Sequence, residues 1–365
     1  MRLRRTIPFL AVPLLALVPT TTPDGFAVAR PGYRFAFPRD HGSHPDFRTE
    51  WWYFTGHLWT SDGKRRFGYQ LTFFRQASPK PAGGWTGSSA WRTDQIHLAH
   101  AALTDEAGRR FRVAERLNRE GIPAGSAPNR LSVFNESWRA EMQPDGTIAL
   151  RMKAEDAALD LTLKPMTPPV VFGEDGVSRK GADPTASSHY ITFPRLASTG
   201  TLQLGKAAPL QVSGPGWMDH EFSSNQLSEG QVGWDWAALQ LRDGRSLMAY
   251  RMRSKDGGQD PFSSITEVDP KGRITRSSRD FTLRGKGQWT SPASKTAYPQ
   301  PLEIDAWGER WTLVPILADQ ELRTARSTGI TYWEGACRVL DGSGKEVGDA
   351  YLELTGYAHS LKGRF

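Results

Sequence analysis

Along most of the chain, apolar and polar residues alternate in short runs separated by Asp-Gly, Gly and Pro. Residues 65–75, 147–153, 159–164 and 330–340 carry this period of two, as expected of half-buried strands joined by tight turns. No stretch keeps apolar residues at helical spacing beyond about three turns, so any helix should be short and peripheral. The pattern predicts an all-β protein.

Two of the predicted hairpins echo each other. Trp52, Leu58, Asp62-Gly63, Tyr69 and Arg75 are matched by Trp236, Leu241, Asp243-Gly244, Tyr250 and Arg253, roughly 180 residues later. Each copy reads as strand, Asp-Gly turn and strand, with its aromatics packing an inner face. The spacing fits duplication of a whole domain. The break falls within residues 194–215, where Gly and Pro separate strand-like runs, and a cut near 205 gives domains at 30–204 and 205–365. Residues 165–184, rich in Pro, Gly and charge, read as a long loop over a barrel mouth.

A length of 365 residues suits two domains. Thirteen Trp, seventeen Phe and nine Tyr supply pleated aromatic faces, while 36 Gly and 25 Pro supply turns. With one cysteine, Cys337, no intrachain disulfide can form, so packing must hold the cores. Residues 1–29 resemble an export signal: Arg2, Arg4 and Arg5 come first, residues 7–18 are apolar, and Ala27-Val28-Ala29 forms a small-x-small cleavage site. The apolar run is broken by Pro8 and Pro13 and is shorter than the ~20 residues that span a bilayer. The product is therefore expected in the periplasm or outside the cell, with the general secretory and twin-arginine routes both open. Losing Arg2, Arg4 and Arg5 together with Asp24 lowers the formal charge from +7 to +5. The remaining basic residues are interleaved with acids and form no basic helix or recognition motif, so no nucleic-acid partner is expected.

The richest chemistry lies in Trp217-Met218-Asp219-His220-Glu221-Phe222, after the Gly214-Pro215-Gly216 bend. In a strand, Trp217, Asp219 and Glu221 share one face, and alternate residues lie ~7 Å apart. Apolar walls would raise the pKa of at least one carboxyl, leaving it protonated near neutrality as a general acid must be. A structural reading, with the acids tying a turn to backbone amides, stands equally open. In the second segment, His44 to Leu58, Glu50, Trp52 and Phe54 share one face and Trp51, Tyr53 and His57 the other. Glu50 suits an ion pair with Arg48 or Arg75 better than catalysis. Tyr332-Trp333-Glu334-Gly335 again sets an acid beside aromatics, and His189-Tyr190 offers a titratable imidazole. His97 and His100, three apart in a strand, face opposite ways, so no metal is expected. There is no Gly-x-Ser-x-Gly elbow or complete phosphate-binding loop, so serine-hydrolase and nucleotide chemistries lack support and no cofactor is expected.

His44-Pro45, Glu50-Trp51-Trp52-Tyr53, Thr55-Gly56-His57-Leu58, Ser188-His189-Tyr190, Trp217-Met218-Asp219-His220-Glu221 and Tyr332-Trp333-Glu334-Gly335 together resemble the AttH and carotenoid 1,2-hydratase family. The resemblance covers nearly the whole chain after the signal. It implies two tandem lipocalin-like (calycin) β-barrel domains and a pocket for a hydrophobic, isoprenoid- or lipid-like small molecule. In the hydratase branch an Asp protonates an isolated C=C bond, and Asp219 stands at the matching position, with His189 matching an associated histidine. The chain departs from that branch at Trp217, where the pattern has Tyr, and at Ile191, where it has Trp.

These readings make Asp219, Glu221 and His189 the catalytic candidates. Trp217, Tyr190, Glu50, Trp52, His220, Trp236, Tyr332 and Glu334 are the ligand-binding candidates. A hydratase or hydrolase acting on a lipophilic molecule is the first expectation. A noncatalytic carrier is the second, and an accessory of a membrane surface or transporter the third.

Overall fold

The computed structural model of the chain describes residues 19–78 and 93–361. The basic and apolar parts of the expected export signal lie outside the described residues. Among the described residues the helical content is one 3-10 turn, Arg39–His41.

The first sheet has thirteen strands. They are β1 (Thr49–Thr60), β2 (Arg66–Ala77), β3 (Gln95–Asp105), β4 (Arg110–Arg119), β5 (Ala124–Ser126), β6 (Ser132–Asn135), β7 (Trp138–Met142), β8 (Ile148–Ala154), β9 (Ala157–Pro165), β10 (Val170–Phe172), β11 (Ser178–Arg179), β12 (Ser187–Leu204) and β13 (Leu210–Asn225). Its order is β4-β3-β2-β1-β13-β12-β9-β8-β7-β6-β5, with β10 and β11 paired to β12, and it curls into a nearly closed barrel.

The second sheet and a two-stranded ribbon take the rest. Their strands are β14 (Gln231–Leu241), β15 (Ser246–Ser254), β16 (Ser264–Val268), β17 (Ile274–Ser278), β18 (Thr282–Gly285), β19 (Gln288–Thr290), β20 (Ala297–Pro299), β21 (Leu302–Ala306), β22 (Glu309–Pro315), β23 (Glu321–Thr324), β24 (Ile330–Asp341) and β25 (Glu346–Leu354). The order is β17-β16-β15-β14-β25-β24-β22-β21-β18, with β23 on β24 and the ribbon formed by β19 and β20.

All four alternating runs read from the sequence are strands, namely β2, β8, β9 and β24. The sheets change over at residues 226–230. The position near 205 falls in the turn between β12 and β13, inside the first sheet, where β13 is held between β1 and β12. Residues 165–184 are not one long loop, because β10 and β11 pair with β12.

Both echoed hairpins form, and Gly63 and Gly244 take the positive φ (68° and 96°) that their tight turns need. Their aromatics, however, point into different spaces. Trp52 and Tyr69 belong to the core of the first sheet, whereas Trp236 and Tyr250 belong to the apolar layer between the sheets. A strand alternates strictly, so one residue of register moves a side chain from one face to the other.

That alternation creates three apolar layers. Trp52, Phe54 and Met218 fill the first barrel, while Trp333, Cys337 and Leu352 fill the second sheet's core. Tyr53, Trp217 and Tyr351, on the same strands but the opposite faces, meet in the layer between. The acids discussed next lie on these outward faces of β13, β24 and β25.

Candidate active site between the sheets

A cleft between the two sheets offers about 100 Å³ to the centre of a water molecule, several times the need of one water. Its walls carry Tyr53, Tyr190, Trp234, Trp236, Tyr250 and Tyr332, and four carboxyls reach it: Asp219 and Glu221 from β13, Glu334 from β24 and Glu353 from β25. One wall comes from each sheet.

Asp219 is fully buried, and burial pushes its carboxyl up to about 7. Tyr190 Oη donates to its Oδ2 at 2.7 Å and Trp217 Nε1 to its Oδ1 at 2.8 Å. Those donors favour the ionised form and limit the rise. Trp236 Nε1 donates to Tyr190 Oη at 3.0 Å, so an indole of the second sheet orients the phenol that holds the acid of the first. Asp219 is therefore divided between its two protonation states near neutral pH and faces an aromatic space.

Glu221, two residues on, has a different environment. Lys180 Nζ lies 2.8 Å from its Oε1, and Ser188 Oγ donates to the same oxygen. Glu221 is thus an ion-paired carboxylate, and β11 serves to bring that lysine in.

The opposite wall carries the second acid group. Glu334 and Glu353 are direct partners across β24 and β25. Burial and repulsion by Glu353 hold Glu334 well above the usual carboxylate range, while burial, with repulsion by Glu221, Asp219 and Asp235, puts Glu353 at about 7. Trp234 Nε1 donates to Glu353 Oε2 at 2.9 Å. The Tyr53 and Tyr332 hydroxyls face Glu334, while Glu334 Oε1 and Tyr53 Oη are buried without a hydrogen-bond partner.

Behind Tyr332 a chain of bonds runs outward. His100 Nδ1 lies 2.8 Å from Tyr332 Oη, His100 Nε2 lies 2.9 Å from Ser327 Oγ, and Ser327 donates to Glu115 Oε2 at 2.6 Å. Burial lowers His100 to about 3, so the ring is neutral. Since Ser327 spends its proton on Glu115, the network assigns the imidazole proton to Nε2, and Tyr332 donates to Nδ1. The Tyr332 oxygen is then left to accept, which suits a protonated Glu334.

Of the sequence candidates, the structure brings Asp219, Glu221, Tyr190, Trp236, Tyr332 and Glu334 together at this cleft. Trp217 stands behind Asp219 as a hydrogen-bond donor instead of forming an open wall. Four others lie elsewhere. His189 packs on the far face of β12 against Tyr33, Phe35, Phe47 and Phe222, with Nδ1 2.7 Å from the Gly176 carbonyl. It cannot reach Asp219, because adjacent strand residues point to opposite faces, and Tyr190 takes the cleft side.

Glu50, Trp52 and His220 sit inside the first barrel. Arg75 Nε donates to Glu50 Oε2 at 2.9 Å, while His44 Nδ1 and His220 Nε2 each lie 2.8 Å from Oε1. Arg75 holds this fully buried carboxyl well below its usual range. Trp52 stacks on His220 at 4.9 Å and donates to the His41 carbonyl. His44, Glu50 and His220 place ligand-type atoms within 4.8 Å of one another. Those atoms are bonded to each other and backed by the Arg75 guanidinium, whose charge opposes a second cation there.

The sequence reading missed Glu353, Tyr53, Trp234 and Lys180 as cleft residues. Glu353 had a readable signal, since Tyr351-Leu352-Glu353-Leu354 alternates Leu with polar residues. Lys180 had none, because only the pairing of β11 with β12 fixes it.

Residues 28–357 match the AttH-like family model. The chain is similar to the crystal structure of an AttH candidate from Nitrosomonas europaea: 34% identity, 91% of this chain and 99% of that one covered, TM-score 0.82. It shares its fold with kievitone hydratase from Nectria haematococca, at 12% identity, covering 93% and 96% of the two chains with a TM-score of 0.67. A ceramide-binding protein of Schizosaccharomyces pombe is 29% identical over 131 residues, which is 35% of this chain and 34% of that protein's length. The chain belongs to the AttH-like family, built on lipocalin-like β-sheets.

Proposed function

We propose that the cleft binds a hydrophobic small molecule and that Asp219 protonates it as a general acid, in a hydratase-like addition of water. The observation that carries this is a buried carboxyl poised at about 7, held from behind by Tyr190 and Trp217 and facing aromatic walls. In the proposed step the Asp219 O–H bond breaks as a C–H bond forms at one end of a C=C. Water adds to the resulting cation, and its surplus proton returns to a carboxylate of the cleft. Aromatic faces stabilise such a cation. The export signal pattern of residues 1–29 supports placing this reaction in the periplasm or outside the cell.

The test is mass spectrometry of compounds that co-purify with wild type and with Asp219→Asn. An unreacted lipophilic compound in the variant, with its hydrated form in wild type, supports the reading. The same unmodified compound in both overturns it in favour of carriage. The ceramide-binding relative favours that second reading over the part of the chain it matches.

A further inference from the structure

The cleft has an imbalance of charge that proton donation by Asp219 does not require. Four carboxyls face it and Lys180 is paired with one of them. No arginine or lysine nitrogen of the described residues lies within 4.0 Å of Asp219, Glu334 or Glu353. Asp235 of β14, a buried acid close to Glu353, is instead matched by Arg253 at 3.1 Å and Arg251 at 3.7 Å. Asp219, Glu334 and Glu353 thus lack the close cations that Asp235 has.

Two independent features point to a ligand that supplies the missing charge. Tyr53 Oη and Glu334 Oε1 are buried, line the cleft and face each other, and neither has a hydrogen-bond partner within 3.5 Å. The cleft also already accommodates one alkylammonium. Lys180 Nζ sits 4.9 Å from the Tyr190 ring centre and 4.5 Å from that of Tyr250, against Glu221. Ring faces and a carboxylate together form the standard surroundings of a bound ammonium.

We infer that the cleft selects a lipophilic cation, an amine or quaternary ammonium with an apolar chain, whose charge is met by Glu334 and Glu353 while its chain lies on the aromatic walls. The inference rests on the cleft being the ligand site, but not on turnover. Binding such a cation ionises acids that burial otherwise keeps protonated, so protons pass to solvent. Glu353 at about 7 is the acid of this pair nearest to release. The other titratable groups facing it are Asp219, Asp235, Glu221 with Lys180, Glu334, the phenols Tyr53, Tyr190, Tyr332 and Tyr351, and neutral His100 behind Tyr332.

The test is calorimetric titration of the full chain at neutral pH with octyltrimethylammonium, octanol and octanoate, each below its aggregation limit, in two buffers of different ionisation enthalpy. Octyltrimethylammonium should bind at least about fivefold more tightly than octanol, octanoate should bind more weakly than either, and only the cation should release protons. Glu334→Gln and Glu353→Gln, which mimic the protonated acids and preserve the fold, should each cut the preference and the proton release. Equal affinity for cation and alcohol, or binding of the cation without proton release, overturns the inference. So does an unchanged preference in both Gln variants. Asp219→Asn separates this from the catalytic proposal, since it should keep a preference for the cation while losing turnover.

Discussion

Glu334 and Glu353 stand opposite each other on adjacent antiparallel strands, with both carboxyls turned toward the other sheet. Two like charges at that spacing in a buried place cannot both ionise at moderate pH, so the pair holds a proton where an exposed glutamate would have lost it. The native state then binds more protons than the unfolded chain between the ordinary glutamate value of 4.5 and the raised value of about 7. Stability is full below that window and declines as pH rises through it. Glu353→Gln should flatten this decline and raise the melting temperature above pH 7 relative to wild type. Calorimetric melting of both proteins across the window checks it, and parallel curves would refute the shared proton.

Asp219→Asn should lower any turnover by about 10²- to 10⁴-fold, the usual contribution of a general acid, with little loss of ligand binding. Tyr190→Phe removes a donor that favours the carboxylate, so its pKa should rise and the high-pH limb of activity should move to higher pH. A pH–rate profile of the Tyr190→Phe protein reads this. A limb that stays in place would assign the titration to another group.

The Glu50 network of the first barrel makes a prediction about folding. Arg75→Ala leaves a buried carboxylate without its cation and should cost about 3–5 kcal/mol in urea denaturation. Adding Glu50→Gln should recover part of the loss, because the uncompensated charge is gone. No recovery would place the cost in lost packing of the arginine stem.

The segment ahead of Arg30 packs into the structure. Ala27 and Ala29 give their carbonyls to Ser224 and Ser187, at 2.5 and 3.0 Å, and Phe26 and Val28 are buried. A chain starting at Thr20 should therefore be more stable than one starting at Arg30, by a few degrees or more in melting temperature. Equal melting would show that the contacts contribute nothing. Intact-mass measurement of the protein from its native cells would then show which start is used.

Much of the cleft was legible because strands obey a period of two. Trp217, Asp219 and Glu221 could be placed on one face before any pairing was known, as could the division of Glu50, Trp52 and Phe54 from Trp51 and Tyr53. The pattern does not say which face meets solvent, a barrel core or a second sheet. Glu50 and Asp219 both sit among aromatics in the sequence, yet one is neutralised inside a barrel and the other is left without a cation between sheets. His189 was misplaced for the same reason: its neighbour Tyr190 has the opposite direction and takes the position by Asp219. The bond from Trp236 to Tyr190, and from His100 to Tyr332, depends on how the sheets dock, which local patterning does not encode.

Because Asp219 comes from β13 and the Glu334–Glu353 pair from β24 and β25, the site belongs to neither half of the molecule. A substitution that tilts one sheet against the other changes the distances among all its acids at once, without touching any of them. Specificity in this architecture can therefore drift through remote packing residues, and transplanting one half onto a relative's other half would transfer a scaffold but not an activity.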